Sequence, residues 1–264
     1  MEVTEIFKDA LTYSTKDWNK LLILGVLFLI MGIFEVLGKF GFQIANNVGA
    51  QIGLILTGLI ALFFTLLING YGLSITRDTI GLQEDIPEFD WVKNLIDGIK
   101  LLILEIVYYI IPLIVVVIVA YATGAFSYIV EIINYVITYG ATNIPQSIIL
   151  EAAVSFLLVF LVGGIFYIIF TLLYYIATAI LAETDSLVEA INIIEVFNKI
   201  GEIGLANYLI WAVLLVIISF VIGIIGGIIQ IIPLIGLIIV MLVIYPFIKI
   251  LSSRALGLIY NEAR

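Results

Sequence analysis

Long uninterrupted apolar stretches constrain this chain more than any other feature of its sequence. Each stretch reaches or approaches the ~20 residues that a helix needs to cross ~30 Å of hydrocarbon. The stretches are continuously apolar and do not alternate with polar residues, which favours helices over a β-barrel. They cover residues 21–37, 48–69, 99–122, 148–182, 205–229 and 234–251. We therefore predict an all-α, polytopic membrane protein with six transmembrane helices.

Composition supports the same fold class. Hydrophobic residues make up 64% of the 264 residues and charged residues 12%, against about 45–50% and about 25% in soluble domains. A soluble globule of this length could not bury so much apolar surface, because folding buries at most about three-quarters of the surface of a chain. We expect the protein to lie in a cell membrane, with membrane lipids among its partners.

The basic residues predict an orientation. All but one of the eleven Lys and Arg residues fall on one side of the six predicted spans, and the exception is Lys39. The positive-inside rule places that side, and both termini, in the cytoplasm. The formal net charge of −9 argues against binding to nucleic acid, whose phosphates require a basic surface.

Four segments outside the spans are amphipathic. They cover residues 1–20, 78–98 and 183–204 on the predicted cytoplasmic side and 123–146 on the outer side. Pro87 suits a first helical position, Ser186 with Glu189 fits a capping box, and Glu195–Lys199 has the spacing of a helical ion pair. We predict that residues 1–264 form one transmembrane domain of three helical hairpins. Residues 1–20 and 123–146 are expected to be interfacial, and 78–98 and 183–204 to be cytoplasmic amphipathic segments.

The chain contains neither His nor Cys. Catalysis by Ser-His or Cys-His pairs, and metal sites built on these two residue types, are therefore excluded. We predict no cofactor, no bound metal and no enzymatic activity. An intramembrane enzyme would have to rely on carboxylates alone, and the sequence shows no convergent acidic pair.

The run Ile-Pro-Glu-Phe-Asp-Trp at residues 86–91, followed by Gly98, is the most specific motif in the chain. Together with the Tyr71-Gly72 pair, Arg77 and the run Ile-Pro-Leu-Ile-Gly at 232–236, it resembles the archaeal and bacterial membrane-protein family known as domain of unknown function 4013. The resemblance implies six helices and no established activity. It extends distantly to the membrane portion of glycerophosphodiester phosphodiesterases, without their catalytic domain.

Charged residues within the apolar stretches are the first candidates for function, because each is costly to insert into hydrocarbon. Glu35 precedes Lys39 by four residues, the favourable order for a structural ion pair on one helix. Glu105 and Lys249 lie at matching depths in the third and sixth spans. They could pair across the bundle, or Lys249 could extend to the interface while Glu105 is protonated or hydrated.

A polar stripe marks the fourth span. Its members share one helical face through their i, i+4, i+7 and i+11 spacing, and they are Tyr167, Thr171, Tyr174 and Thr178. Such a stripe either lines a path for a ligand or forms hydrogen bonds between helices.

Two functions therefore remain open. The first is a scaffold or accessory bundle that acts through lipids, a protein partner or a second copy of the chain. The alternative is a transporter or channel for a small solute or lipid that uses Glu105 and the stripe.

Overall fold

The computed structural model describes residues 2–32 and 48–263, with side chains from residue 55 onwards in the second range. Throughout these ranges the regular structure is helical. The helices are α1 (Val3–Ser14), α2 (Trp18–Met31), α3 (Val48–Ile80), α4 (Trp91–Ala122), α5 (Ala125–Tyr139), α6 (Gln146–Thr184), α7 (Leu187–Ile191), α8 (Ile193–Ile203), α9 (Leu205–Ile229), α10 (Ile235–Ile239) and α11 (Tyr245–Tyr260). The predicted all-α class is confirmed.

Five helical stretches of the described chain are long and apolar enough to cross a membrane. They are Ile55–Ile80, Trp91–Ala122, Gln146–Thr184, Leu205–Ile229 and Ile235–Ala263. Each overlaps one of the predicted spans. The first predicted span begins in α2 and continues into residues 33–47, which lie outside the described residues. The multi-pass architecture is confirmed, whereas the count of six and the orientation stay predictions.

Side-chain caps determine where several helices begin. Asp17 accepts hydrogen bonds from the backbone of Asn19 and Lys20 at the start of α2, and Asp90 caps α4 in the same way. The expectation that Pro87 opens a helix is therefore wrong, because residues 87–90 are not helical and the Asp90 carboxylate satisfies the first free N–H groups of the helix that begins at Trp91. Ser186 accepts from the backbone of Glu189 at 3.4 Å, which is one half of the predicted capping box; its own N–H donates to the Thr184 hydroxyl and not to Glu189.

Helix α1 buries its apolar face within the protein. Ile6 and Ala10 are fully buried and Phe7 nearly so, and the helix packs on α11. The predicted amphipathic helix is confirmed, but protein covers its apolar face. A position of α1 at the membrane interface stays a prediction.

The chain divides into two compact units. The first unit comprises residues 1–104 and 175–264, and the second comprises residues 105–174. The boundaries fall within α4 and α6, so each of these two helices has one part in the first unit and one part in the second. The prediction of one domain over 1–264 is not tested by this division.

Close helix contact at two glycines holds α3 and α4 together in the first unit. A Cβ atom on Gly70 would overlap the backbone carbonyl of Asn94, and one on Gly98 would overlap the carbonyl of Leu66. Each helix thus presents a glycine to the backbone of the other, so the two axes approach closely. Around this crossing the core contains Leu24, Ile68, Tyr71 and other apolar side chains of α2, α3 and α11.

The second unit contains the ends of α4 and α6 with α5 between them. Helix α5 confirms the predicted helix within residues 123–146. Ser155 donates to the carbonyl of Thr123 at 2.8 Å, and Tyr128 donates to Glu151 at 3.1 Å. These bonds connect the start of α6 to α5 and to the end of α4.

A π-helical turn, Val240–Ile244, connects α10 to α11, whose second residue is Pro246. Proline has no N–H to donate to the preceding turn, so a change in the hydrogen-bonding pattern before it is expected.

Candidate functional site

Two arginines organise the polar side chains of the first unit, and Arg77 in the last turn of α3 is the first of them. Its Nη1 donates to Asp97 Oδ2 at 2.7 Å and its Nη2 to Oδ1 at 3.4 Å. Only 4% of the Asp97 side chain is exposed. A buried carboxylate is unstable without a charged partner, so Arg77 stabilises Asp97 within the bundle.

The same guanidinium also holds the end of α6. Its Nε donates to the Ala182 carbonyl at 3.2 Å and its Nη2 to Asp185 at 3.0 Å, while Lys100 donates to the same Asp185 oxygen at 2.9 Å. Asp185 has a positive φ of 57°, a conformation that Asp tolerates better than most residues. The hydrogen bond from Lys100 lowers the pKa of Asp185. We call Arg77, Asp97, Lys100 and Asp185 the Arg77 centre.

A shallow depression lies over the Arg77 centre, and its walls carry three cations and three carboxylates. They are Arg77, Lys93 and Lys100 with Asp90, Asp97 and Asp185, beside Val92 and Ile96. The charges balance, so the depression offers no net attraction to an anion or a cation.

The second arginine, Arg254 on α11, is 7% exposed. Its Nε donates to Asp9 of α1 at 2.7 Å, its Nη1 donates to the Gln83 carbonyl at 2.9 Å, and its guanidinium lies 4.4 Å from the centre of the Tyr13 ring. Burial raises the pKa of Tyr13, so this ring stays neutral. We call Arg254, Asp9 and Tyr13 the Arg254 centre; it joins α1 and α11 to the loop between α3 and α4.

That loop, residues 81–90, carries the Pro-Glu-Phe-Asp-Trp motif and is held by basic residues near the start of the chain. Lys16 pairs with Asp85 at 2.9 Å. Lys20 donates to the Ile86 carbonyl at 2.6 Å and pairs with Glu88 at 2.8 Å. The hydrogen bond from Lys16 lowers the pKa of Asp85.

The aromatic part of the motif packs on the bundle. Tyr71 donates to the Pro87 carbonyl at 2.9 Å. Phe89 lies between the rings of Tyr71 and Trp91, at centroid distances of 5.3 and 5.1 Å. The motif therefore anchors a loop to the helices, and its side chains are engaged in that contact.

Two of the three predicted ion pairs, Glu105–Lys249 and Glu35–Lys39, stay predictions. Lys249 Nζ donates to Asn69 Oδ1 at 2.9 Å, a contact between α11 and α3. Glu105 is exposed on α4 and belongs to the second unit, so its pairing with Lys249 stays a prediction. Glu35 and Lys39 lie outside the described residues. The Glu195–Lys199 pair is replaced by Lys199 with Glu202 at 3.0 Å, because a spacing of three residues also brings two side chains together on a helix.

Three members of the polar stripe lie together in the second unit, around Tyr109 of α4. The hydroxyls of Tyr109 and Thr171 are 2.9 Å apart. The Tyr109 ring lies 5.3 Å from that of Tyr167 and 5.7 Å from that of Tyr174. Thr178 belongs to the first unit, where its hydroxyl is buried with no hydrogen-bond partner among the described residues. At Thr171 the stripe forms the interhelical hydrogen bond that one interpretation predicted.

The charged side chains of both centres are paired with one another. In the part of the chain that the structure describes, no group of three or more carboxylates is placed to hold a metal ion. Sequence reasoning missed the Arg77 and Arg254 centres. A signal was present for one of them: Asn94, Asp97, Leu101 and Leu104 recur at helical spacing on the buried face of α4. For Asp9 and Arg254, 245 positions apart, the sequence offered none.

These features define a multi-pass helical membrane protein whose polar residues link its own helices. The family described as "Protein of unknown function (DUF4013)" matches residues 52–231, and the chain belongs to it. The predicted resemblance is thereby confirmed. No curated protein and no solved structure matches the chain, so the resemblance to glycerophosphodiester phosphodiesterases stays an expectation.

Proposed function

We propose that this protein is a non-enzymatic scaffold or accessory bundle that acts through protein or lipid partners within the membrane. The observation that carries the proposal is the apolar surface of the long helices. In the most apolar windows of α6 and α9 only 11% of residues are buried within the chain. Exposed apolar surface on spanning helices contacts lipid or the helices of a partner.

The internal use of polar groups supports the same function. The Arg77 and Arg254 centres are occupied by their own partners, and Trp211 of α9 donates to the Ala255 carbonyl at 3.1 Å. Such contacts stabilise a fixed arrangement of helices, as a scaffold requires. The lack of His and Cys leaves few groups for acid–base or nucleophilic chemistry.

Photo-crosslinking in native membranes tests the proposal. A photoreactive residue replaces Ile217, which is 50% exposed on α9, and in a matched control it replaces Leu215, which is 5% exposed. We expect a discrete crosslinked protein band from position 217 and none from 215. Adducts with lipid alone at position 217, and at similarly exposed positions of α6, would count against a protein partner and leave lipid as the partner class.

A transporter is the second candidate, and exposed Glu105 within an apolar helix favours it. Intramembrane carboxylates often mark ion or substrate paths. Solute flux into proteoliposomes that is lost in Glu105→Gln, with the fold retained, would establish transport and overturn the scaffold proposal. Equal flux in liposomes with wild type, with Glu105→Gln and without protein would remove the transport alternative for the solutes tested.

A further inference from the structure

Helix α8 has three chemically different faces. Residues turn by about 100° each along a helix, so residues spaced by three, four or seven share a face. Val196, Ile200 and Ile203 are buried, and the helix packs there on α9, α11 and the residues after α11. A second face is polar, with Glu195, Asn198 and Glu202. The third face is apolar yet exposed.

That third face consists of Ile194, Phe197 and Gly201, which follow the same helical spacing. Ile194 is 68% exposed and Phe197 is 56% exposed. The buried face of α8 already packs on the rest of the protein. Packing within the chain therefore does not explain why a second face of this helix is also apolar. Large apolar side chains on their own side of a surface helix indicate a second apolar environment.

The junction with α9 identifies that environment. Helix α8 ends at Ile203 and α9 begins at Leu205, so Gly204 alone separates them, with a positive φ of 87°. One residue extends the chain by no more than about 3.6 Å. Since α9 is one of the membrane-spanning helices, the end of α8 must lie at the membrane boundary. Leu205 is itself 61% exposed, so apolar exposure continues from α8 into the spanning helix.

We propose that α8 is inserted into one leaflet of the bilayer, with Ile194 and Phe197 in the acyl-chain boundary and Glu195 and Glu202 at the level of water and headgroups. The occupant of the third face is therefore a lipid surface. Glu195 and Glu202 lie on the polar face, where the headgroups would meet them, and Lys199, the basic residue of α8, pairs with Glu202. Zwitterionic headgroups consequently suit the helix better than anionic ones.

Spin-label accessibility tests the insertion, and the chain is well suited to it because it contains no cysteine. Single variants Ile194→Cys and Phe197→Cys carry a nitroxide in the full-length protein, reconstituted into nanodiscs of zwitterionic phospholipid. Asn198→Cys and Glu202→Cys are the matched controls on the polar face of the same helix. Each labelled variant must elute as the wild type does, which shows that the fold is retained.

We expect labels at 194 and 197 to be accessible to oxygen and protected from a water-soluble nickel complex, at about 5–10 Å below the phosphates. Labels at 198 and 202 should show the opposite preference. Equal nickel access at 197 and 198 would overturn the proposal, because it places the third face in water. Labels at 194 and 197 that are immobilised and shielded from both reagents would also overturn it, because a protein partner then covers the face.

A change of lipid tests the headgroup preference separately. When half of the phospholipid is anionic, the label at Phe197 should move towards the water. An unchanged or greater depth would refute the preference for zwitterionic lipid while leaving the insertion in place.

Discussion

The two compact units use polar side chains in different ways. In the first unit charged pairs join the helices and bury one partner each, Asp97 with Arg77 and Arg254 with Asp9. In the second unit α4 and α6 are joined by neutral hydroxyls and rings, as Tyr109 with Thr171 shows. A buried charge destabilises strongly when it loses its partner, whereas a neutral bond within a membrane contributes little. The first unit should therefore be far more sensitive to single substitutions.

The largest effect is expected for Arg77→Met. The substitution leaves Asp97 buried without its partner, and breaking such a pair destabilises by about 3–5 kcal/mol. Thermal unfolding in detergent should show a large loss of stability. The double variant Arg77→Met with Asp97→Leu removes both charges and should recover most of the loss. Equal instability of the single and double variants would show that the charge of Asp97 is not the cause.

Gly70→Ala should come next. The new Cβ overlaps the Asn94 carbonyl and forces α3 and α4 apart, and overpacking of this kind costs about 1–3 kcal/mol. Gly58→Ala on the same helix is the control, because nothing lies within 4 Å of its added Cβ. It should be neutral or slightly stabilising. Comparable losses in both variants would contradict the close crossing at Gly70.

Thr171→Val should have a small effect in the second unit. It removes the hydrogen bond to Tyr109 and keeps the shape of the side chain. Interhelical bonds in membranes average about 0.6 kcal/mol. The same unfolding measurement checks it, and a loss as large as that of Arg77→Met would erase the contrast between the units.

The smallest effect is expected for Asp185→Asn, and it should depend on pH. The pKa of Asp185 is lowered in the folded protein by Lys100, so the carboxylate stabilises the fold above the ordinary Asp pKa. This contribution disappears as the pH falls through the lowered pKa. Because Asp185 is largely exposed, wild type and variant should differ by about 0.2–0.5 kcal/mol near neutral pH. Unfolding curves from pH 7 downwards should converge in acid; a difference that persists there would assign the effect to another cause.

Local sequence patterns made the helices predictable. The contacts between residues far apart in the sequence could not be predicted. Apolar runs located the spans, and the spacing of Ser186 and Glu189 located a helix start, because these signals lie within a few residues. The polar stripe was also visible, yet its partner Tyr109 is 62 positions from Thr171. The choice of neighbouring helices depends on packing features such as the close contact of α3 and α4 at their glycines. A single sequence does not reveal which helices pack against each other in this way.

The bond between Arg254 and Asp9 has a consequence for biosynthesis. A ribosome makes Asp9 245 positions before Arg254, so Asp9 and the Gln83 carbonyl must await their partner while the helices between them are translated and inserted. Until α11 arrives, the first unit lacks the residue that joins its earliest helix to the α3–α4 loop. These contacts can form only after Arg254 has left the ribosome, and nascent chains stalled before residue 254 should remain sensitive to protease at the loop.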